Sequence, residues 1–225
     1  MGRLKLQKSP SIRRMPTYLH KLMLMRANGE VYASATRLAE YVSLDPIIVR
    51  KDFELTDVTG QPGVGYRVDE LLDAIRRFLG WNVKREACLV GAGSLGSAIL
   101  GYEEFAEYGL VITSVFDSAP HKIGTIIHGH EVLDVRMMSR VLAPHTPDLA
   151  IICVSGNCAQ MVADELVACG VKAFWNFANV CLSVPDDVVV QREVIAGGFA
   201  MLSVKLARAG RGDDPETTEG VDDGD

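Results

Sequence analysis

The sequence predicts an α/β chain in two parts, an N-terminal winged helix-turn-helix followed by a doubly wound parallel sheet of the Rossmann type. Three observations carry this expectation. The first is a glycine turn, Gly91-Ala92-Gly93-Ser94-Leu95-Gly96, set between the apolar runs Ala87–Val90 and Ser97–Leu100. In such a G-x-G-x-x-G strand-to-helix turn, the first Gly turns the chain and the second lets the backbone approach a pyrophosphate. The third lets helix and strand pack closely. The second observation is a further apolar run, Leu110–Phe116, ending on Asp117, 21 residues after Gly96. That is where a carboxylate accepts a hydrogen bond from an adenosine ribose hydroxyl and repels a 2′-phosphate, which favours NAD(H) over NADP(H). The third is charge. Residues 1–85 hold 15 Lys and Arg against 9 Asp and Glu, and residues 86–225 hold 8 against 20, so the net charge of −6 hides a basic N-terminal part suited to a polyanion.

Taken in order, residues 1–11 are polar and expected to fray, with order beginning near Arg13. Helical spacing from Thr17 aligns Tyr18, Leu19, Leu22 and Met23, and Asn28-Gly29 stops this helix. Ser34 is a candidate N-cap for a second helix carrying Leu38, Ala39 and Val42. Asp45-Pro46 starts a third, a capping side chain followed by Pro at the first helical position. Helix, short turn, helix is the outline of a helix-turn-helix. In the third helix, Pro46 to about Glu54, Val49 and Phe53 face inward, while Ile47, Lys51 and Glu54 face outward with Arg50 at the flank. Cations meeting guanine or phosphate, and an apolar group meeting a thymine methyl, suit a major groove. Leu55–Val68, with Thr59-Gly60-Gln61-Pro62-Gly63 between apolar ends, predicts a β-hairpin wing with Gln61 as a candidate DNA contact. Val68–Leu79 returns to helical spacing, closed by Gly80-Trp81.

After the glycine turn a helix is expected to continue through Tyr102 to about Phe105, followed by the strand Leu110–Phe116. A small strand near Val132, a short helix around Met137–Leu142, a strand Ala150–Val154 and a helix from about Cys158 to Ala168 come next. Strands at Ala173–Trp175 and Val188–Val190 and a last helix from Arg192 to about Ala207 complete the pattern. Alternating strands and helices imply a parallel sheet with ligands at the carboxyl ends of its strands. Gly91, Asp117, Val154-Ser155 and Asn176-Phe177 sit at such ends and are the candidate cofactor contacts. The last helix shows Val194, Ile195, Phe199, Leu202 and Leu206, more apolar surface than one chain needs, which points to a second subunit. Beyond Gly210 come seven acids and one Arg without apolar periodicity, so a disordered tail is expected.

Other chemistry has little support. The five cysteines form no C-x-x-C pair and read as buried thiols. His128-Gly129-His130 reads as a surface loop, because no Cys or carboxylate cluster accompanies it, so no metal is expected. No Tyr is followed four positions later by Lys, no G-x-S-x-G elbow occurs, and no catalytic residues are assigned. No run approaches the roughly 18 apolar residues of a membrane span and no signal-peptide core follows Met1, so a cytoplasmic protein with no membrane partner is expected.

Together, Arg14-Met15-Pro16-Thr17-Tyr18, Val49-Arg50-Lys51-Asp52, Gly63-Val64-Gly65-Tyr66, the glycine turn, Phe116-Asp117, Lys122-Ile123-Gly124, Ala159-Gln160 and Trp175-Asn176-Phe177-Ala178 resemble the Rex family of redox-sensing transcriptional repressors over about residues 12–206. The resemblance implies a homodimer with a swapped C-terminal helix, bound to a palindromic operator and released from it by NADH, with NAD⁺ competing. It places Arg50 and Lys51 on DNA, Gly91 through Gly96 on pyrophosphate, Asp117 on ribose, Lys122 near the adenosine and Tyr102 near the nicotinamide. It also implies an inter-domain switch pair, for which this chain offers Arg14 and Glu193 where the family has Arg and Asp. The wing departs from the family, with Asp57-Val58-Thr59-Gly60-Gln61-Pro62 in place of a Phe-Gly repeat and a basic residue. On this reading residues 1–83 form the DNA-binding domain, 84–190 the NAD(H)-binding domain, 191–209 the dimerisation helix and 210–225 the tail. Two other readings share the glycine turn. One is an NAD-dependent oxidoreductase with an accessory helical domain, which would need an acid or base that the strand ends do not offer. The other is a coenzyme A- or nucleotide-binding subunit, which has less use for Asp117.

Overall fold

The computed structural model describes residues 9–209. Helix α1 (Ser9–Ala27) begins earlier than the polar sequence suggests and carries Pro16 in its interior, where the proline has no N–H to give the carbonyl of Ile12. Packing overrides this local break, since Met15, Tyr18, Leu19 and Leu22 are fully buried. After Gly29, strand β1 (Tyr32–Ala33) leads to α2 (Ala35–Val42), whose first turn is capped by the Ser34 hydroxyl accepting from the N–H of Arg37. Ser43, in the left-handed region at φ 54°, turns the chain into α3 (Pro46–Phe53), capped by Asp45 accepting from the N–H of Ile47.

The wing is not the regular hairpin that its turn residues predict. Residues 54–56 make a short 3₁₀ turn, and Gln61 and Gly65 form a single antiparallel bridge around Pro62-Gly63-Val64. Strand β2 (Tyr66–Arg67) pairs with the distant β1 rather than with the residues before the bridge. Helix α4 (Val68–Leu79) then closes the unit, with Gly80 in the left-handed region and the Trp81 N–H on the carbonyl of Arg76. Tyr18, Phe53 and Tyr66 meet edge to face at 5.1 Å each, at the centre of a core that also holds Leu38, Val49, Leu71, Leu72 and Ile75.

The second unit alternates β3 (Arg85–Val90), α5 (Ser94–Leu100), α6 (Glu104–Glu107), β4 (Leu110–Asp117), β5 (Ile126–Ile127), β6 (His130–Asp134) and α7 (Met138–Leu142). It continues with β7 (Leu149–Ile152), α8 (Gly156–Ala168), β8 (Ala173–Asn176), β9 (Val189–Arg192) and α9 (Ala196–Ala209). The seven strands lie in the order β5-β6-β4-β3-β7-β8-β9, all parallel except the β5–β6 hairpin at one edge. Without β5 this is the 3-2-1-4-5-6 order of a doubly wound dinucleotide fold. Both faces are covered, and β3 shows why its sequence is a continuous apolar run: Ala87 and Leu89 enter one core, Cys88 and Val90 the other. The order reverses at β3, between β4 and β7, and the glycine turn emerges at that point.

Two helices differ from the sequence expectation. The helix after the glycine turn ends at Leu100 and resumes at Glu104; at the break Gly101 lies against the His128 ring, where a Cβ would come within 2.7 Å of Cε1. The last helix begins at Ala196 rather than Arg192. Residues 189–192 are claimed by pairing with β8, so the sheet crosses the domain boundary expected at 190, and Asn176 aligns with Arg192. The acidic tail lies outside the described residues. None of the described helices is long and apolar enough to cross a membrane.

Candidate functional site

The glycine turn is held by contacts that only glycine permits. Gly91 has φ +103°, and a Cβ there would lie 2.7 Å from the Cys153 carbonyl, while a Cβ on Gly96 would lie 2.0 Å from the Gly91 oxygen. Over Gly93 the space is open, since an added Cβ would meet no atom within 4 Å, and the start of α5 has no side-chain cap. Uncapped N–H groups beneath open space suit a pyrophosphate.

Asp117, at the end of β4, ties the turn to the next loop. One carboxylate oxygen accepts from the Ala92 N–H at 2.8 Å and from the Lys122 ammonium at 3.1 Å, and the other accepts from the Ala119 N–H at 2.8 Å. Burial works against its charge, but these donors outweigh it and hold its carboxyl below the ordinary carboxylate value. A carboxylate offers about four lone-pair positions, so three donors leave one for a ribose hydroxyl. The residues present fit an adenosine dinucleotide.

An aromatic row runs from Tyr102 to Phe105 (4.6 Å), Trp175 (5.5 Å) and Phe177 (4.9 Å), the last just beyond the carboxyl end of β8. This joins Tyr102 to Phe177 through Trp175 and through Phe105, which the motifs do not single out. Tyr102 is half exposed and donates to Glu104 at 2.6 Å, and the same Glu104 oxygen accepts from Tyr108 at 3.0 Å. Hydrogen bonds from Tyr102 and Tyr108, with the nearby His20 of α1, hold the Glu104 carboxyl below its ordinary value. The Ser155 hydroxyl donates to Asn157 at 2.5 Å. Asn176 is fully buried, its amide donating to the Val180 carbonyl and accepting from the Ala178 N–H, so it shapes the loop after β8 rather than presenting its amide outward.

On α3 the helical wheel holds: Val49 and Phe53 are buried, while Ile47, Arg50 and Lys51 are exposed. Ile48, 38% exposed beside Ile47 at 55%, widens the apolar part of that face. Its inner side carries a charged group absent from the candidate residues. Asp52 is buried and takes two hydrogen bonds from Arg14, both at 2.7 Å, and one from Tyr18, also at 2.7 Å. Within the single chain, therefore, Arg14 is engaged inside the helical unit and not with Glu193, whose carboxylate accepts from Trp175 and Gln191. Gln61 is exposed at the base of the wing tip. His128 and Gly129 form the tight turn of the β5–β6 hairpin, and the described residues hold no group of three His, Cys, Asp or Glu placed for a metal. The cysteines are free thiols, and burial pushes Cys88 and Cys153 up to about 12.

Comparison with known proteins matches residues 82–180 to a family described as a CoA binding domain and residues 9–54 to one described as a putative DNA-binding protein N-terminus. The redox-sensing transcriptional repressor Rex of Treponema denticola is 43% identical over 206 residues, 92% of this chain and 98% of that protein. That of Clostridium beijerinckii is 41% identical over 180 residues, 80% of this chain and 85% of its own. Among solved structures, RSP in complex with β-NAD⁺ and operator DNA superposes with a TM-score of 0.81 at 32% identity, covering 91% of this chain and 94% of its own. RSP in complex with β-NADH gives 0.80 at 30% identity, covering 91% and 96%.

Proposed function

Since the chain belongs to the Rex family of redox-sensing transcriptional repressors, we propose that it is a DNA-binding repressor that reads the NADH/NAD⁺ ratio and leaves its operator when NADH binds. The observation that supports this reading is the presence, in one chain, of two separate candidate sites. One is the outward face of α3, with Ile47, Arg50 and Lys51 exposed; the other is the glycine turn tied through Ala92 to Asp117. Gly91 through Gly96 would hold the pyrophosphate, Asp117 and Lys122 the adenosine ribose, and Val154, Ser155, Phe177 and Tyr102 the nicotinamide side. NAD(H) is preferred over NADP(H) because the Asp117 carboxylate repels a 2′-phosphate. When bound, the cofactor supplies a nicotinamide whose charge differs between its two redox forms. Asp117 orients the ribose, the aromatic row joins Tyr102 to Phe177, and Lys51 and Arg50 neutralise DNA phosphates or meet guanine edges.

The strand ends offer Ser155 and a buried Asn176 where a dehydrogenase needs a proton donor or acceptor, which supports a sensor without catalytic residues. A repressor that binds operator DNA and a nicotinamide cofactor would work in the cytoplasm. The partner is a second copy. Helix α9 has no buried residue, and Ile195, Phe199, Leu202 and Leu206 are 52–72% exposed, so each chain's helix packs on the other subunit, exchanged between the two. A two-fold dimer implies a palindromic operator. The test is titration of the protein onto duplexes selected from a randomised pool, with and without NADH. Operator affinity should fall when NADH saturates the site, and NAD⁺ should reverse the effect. An affinity indifferent to NADH would sink the reading.

A further inference from the structure

The segment between Tyr102 and Tyr108 touches both halves of the chain. At one end Tyr102 begins the aromatic row that leads through Phe105 and Trp175 to Phe177, just beyond β8. At the other, Tyr108 stacks on Trp81 at 4.4 Å and 23°, and both rings pack against the core of the winged helix although Tyr108 belongs to the sheet domain. Trp81 is itself locked to α4 through its N–H on the Arg76 carbonyl. The linker beyond it presses on the next residue of the segment: a Cβ on Gly109 would lie 2.9 Å from the Val83 oxygen, and the Gly109 carbonyl accepts from Arg85 at 2.7 Å. Between the two tyrosines, one oxygen of Glu104 accepts from both hydroxyls.

We propose that Glu104 is a positioning residue that couples the cofactor site to the DNA-binding domain, by fixing the hydroxyls of Tyr102 and Tyr108 on a single carboxylate oxygen. The proposal rests on the functional reading above, in which the nicotinamide lies beside Tyr102. Both hydroxyls share one acceptor atom, so Tyr102 cannot shift without either dragging Glu104 or breaking the bridge. Tyr108 feels either event, and its ring is pressed on Trp81, the first residue after the α4 cap. A displacement at the cofactor edge therefore reaches α4, and through the shared core it reaches α3, without passing through the sheet. Glu104 touches neither ligand, so it acts only by holding two rings in register.

Spatial intermediacy alone does not establish coupling, so the test measures coupling itself. Full-length protein is titrated with NADH in the presence and absence of the selected duplex, and with duplex in the presence and absence of NADH. The variants are Tyr108→Phe, which keeps the ring on Trp81 and removes only the hydroxyl, Glu104→Leu, which removes the shared acceptor at similar size, and the two together. Each variant should keep its separate NADH and duplex affinities within about twofold, while a coupling factor in the common range of about 5–150-fold falls towards one. The double variant should lose no more than either single one, because all three break the same bridge. A coupled wild type whose factor survives in both single variants overturns the relay and leaves the function standing. Loss of basal duplex affinity in Tyr108→Phe would also overturn it, by assigning the contact to folding. An uncoupled wild type overturns the functional reading together with the relay.

Discussion

Asp52 lies on the inward side of the same helix whose exposed side carries Ile47, Arg50 and Lys51, and a carboxylate buried there is tolerated only because Arg14 and Tyr18 satisfy it. The two partners differ in exposure, 27% for the Arg14 side chain against 2% for that of Asp52, which makes the two deletions unequal. Arg14→Leu strands a buried charge and should cost about 3–5 kcal/mol in urea melts. Asp52→Asn leaves a guanidinium that water can reach, and should cost less. Burial raises the Asp52 pKa, but the hydrogen bonds from Arg14 and Tyr18 prevail and bring it below the ordinary carboxylate value. A folded pKa below the unfolded one stabilises the protein above the unfolded value of about 3.9, and that contribution is lost as pH falls through the folded value. The stability gap between wild type and Asp52→Asn should therefore be full at neutral pH and shrink in melts below about pH 4. A gap that stays constant with pH would show that Asp52 is not held as a carboxylate.

At the scale of the element, α3 is short, capped by Asp45 and pinned from behind, so its exposed residues can be changed without unfolding it. Lys51→Ala should leave NADH affinity unchanged and lower the slope of log affinity against log salt by about one unit. An unchanged slope would remove Lys51 from the phosphate contacts. The glycine turn is the opposite case. Gly96→Ala drives a methyl to within 2.0 Å of the Gly91 oxygen, so α5 must move off β3. Overpacking of about 1–3 kcal/mol and a large loss of NADH affinity are expected, with duplex affinity preserved. These elements were legible in the sequence because their signals are local: Asp45-Pro46 is a cap beside its helix, and Gly91 to Gly96 is a turn beside its strand. The wing was legible only in outline: its turn residues mark a hairpin that shrinks to the one Gln61–Gly65 bridge, whereas Tyr66 and Arg67 find a partner more than thirty residues away. Asp52 with Arg14, 38 residues apart, and the aromatic row through Trp175 have no local signature at all.

For the molecule as a whole, the decisive feature is the uncovered α9. Phe199 at 72% exposure and Leu206 at 63% would burden a monomer with an apolar surface of the kind that marks an interface. A chain ending at Val194 should sediment as a monomer and lose about 10²–10⁴ in operator affinity, because each subunit then binds one half-site alone. A truncated chain that remains dimeric would place the interface elsewhere. Reciprocity adds a further demand: whatever factor NADH imposes on DNA, DNA must impose on NADH. The break between α5 and α6 matters on a longer timescale. The His128 ring occupies the space that a side chain at position 101 would need, with ring atoms 2.7–3.0 Å from where a Cβ would stand. These positions belong to different elements, a helix end and the turn of an edge hairpin, yet they share one small volume. Across descendants of this sequence they should drift as a pair, a bulkier residue at 101 appearing only in lineages where position 128 has already become small.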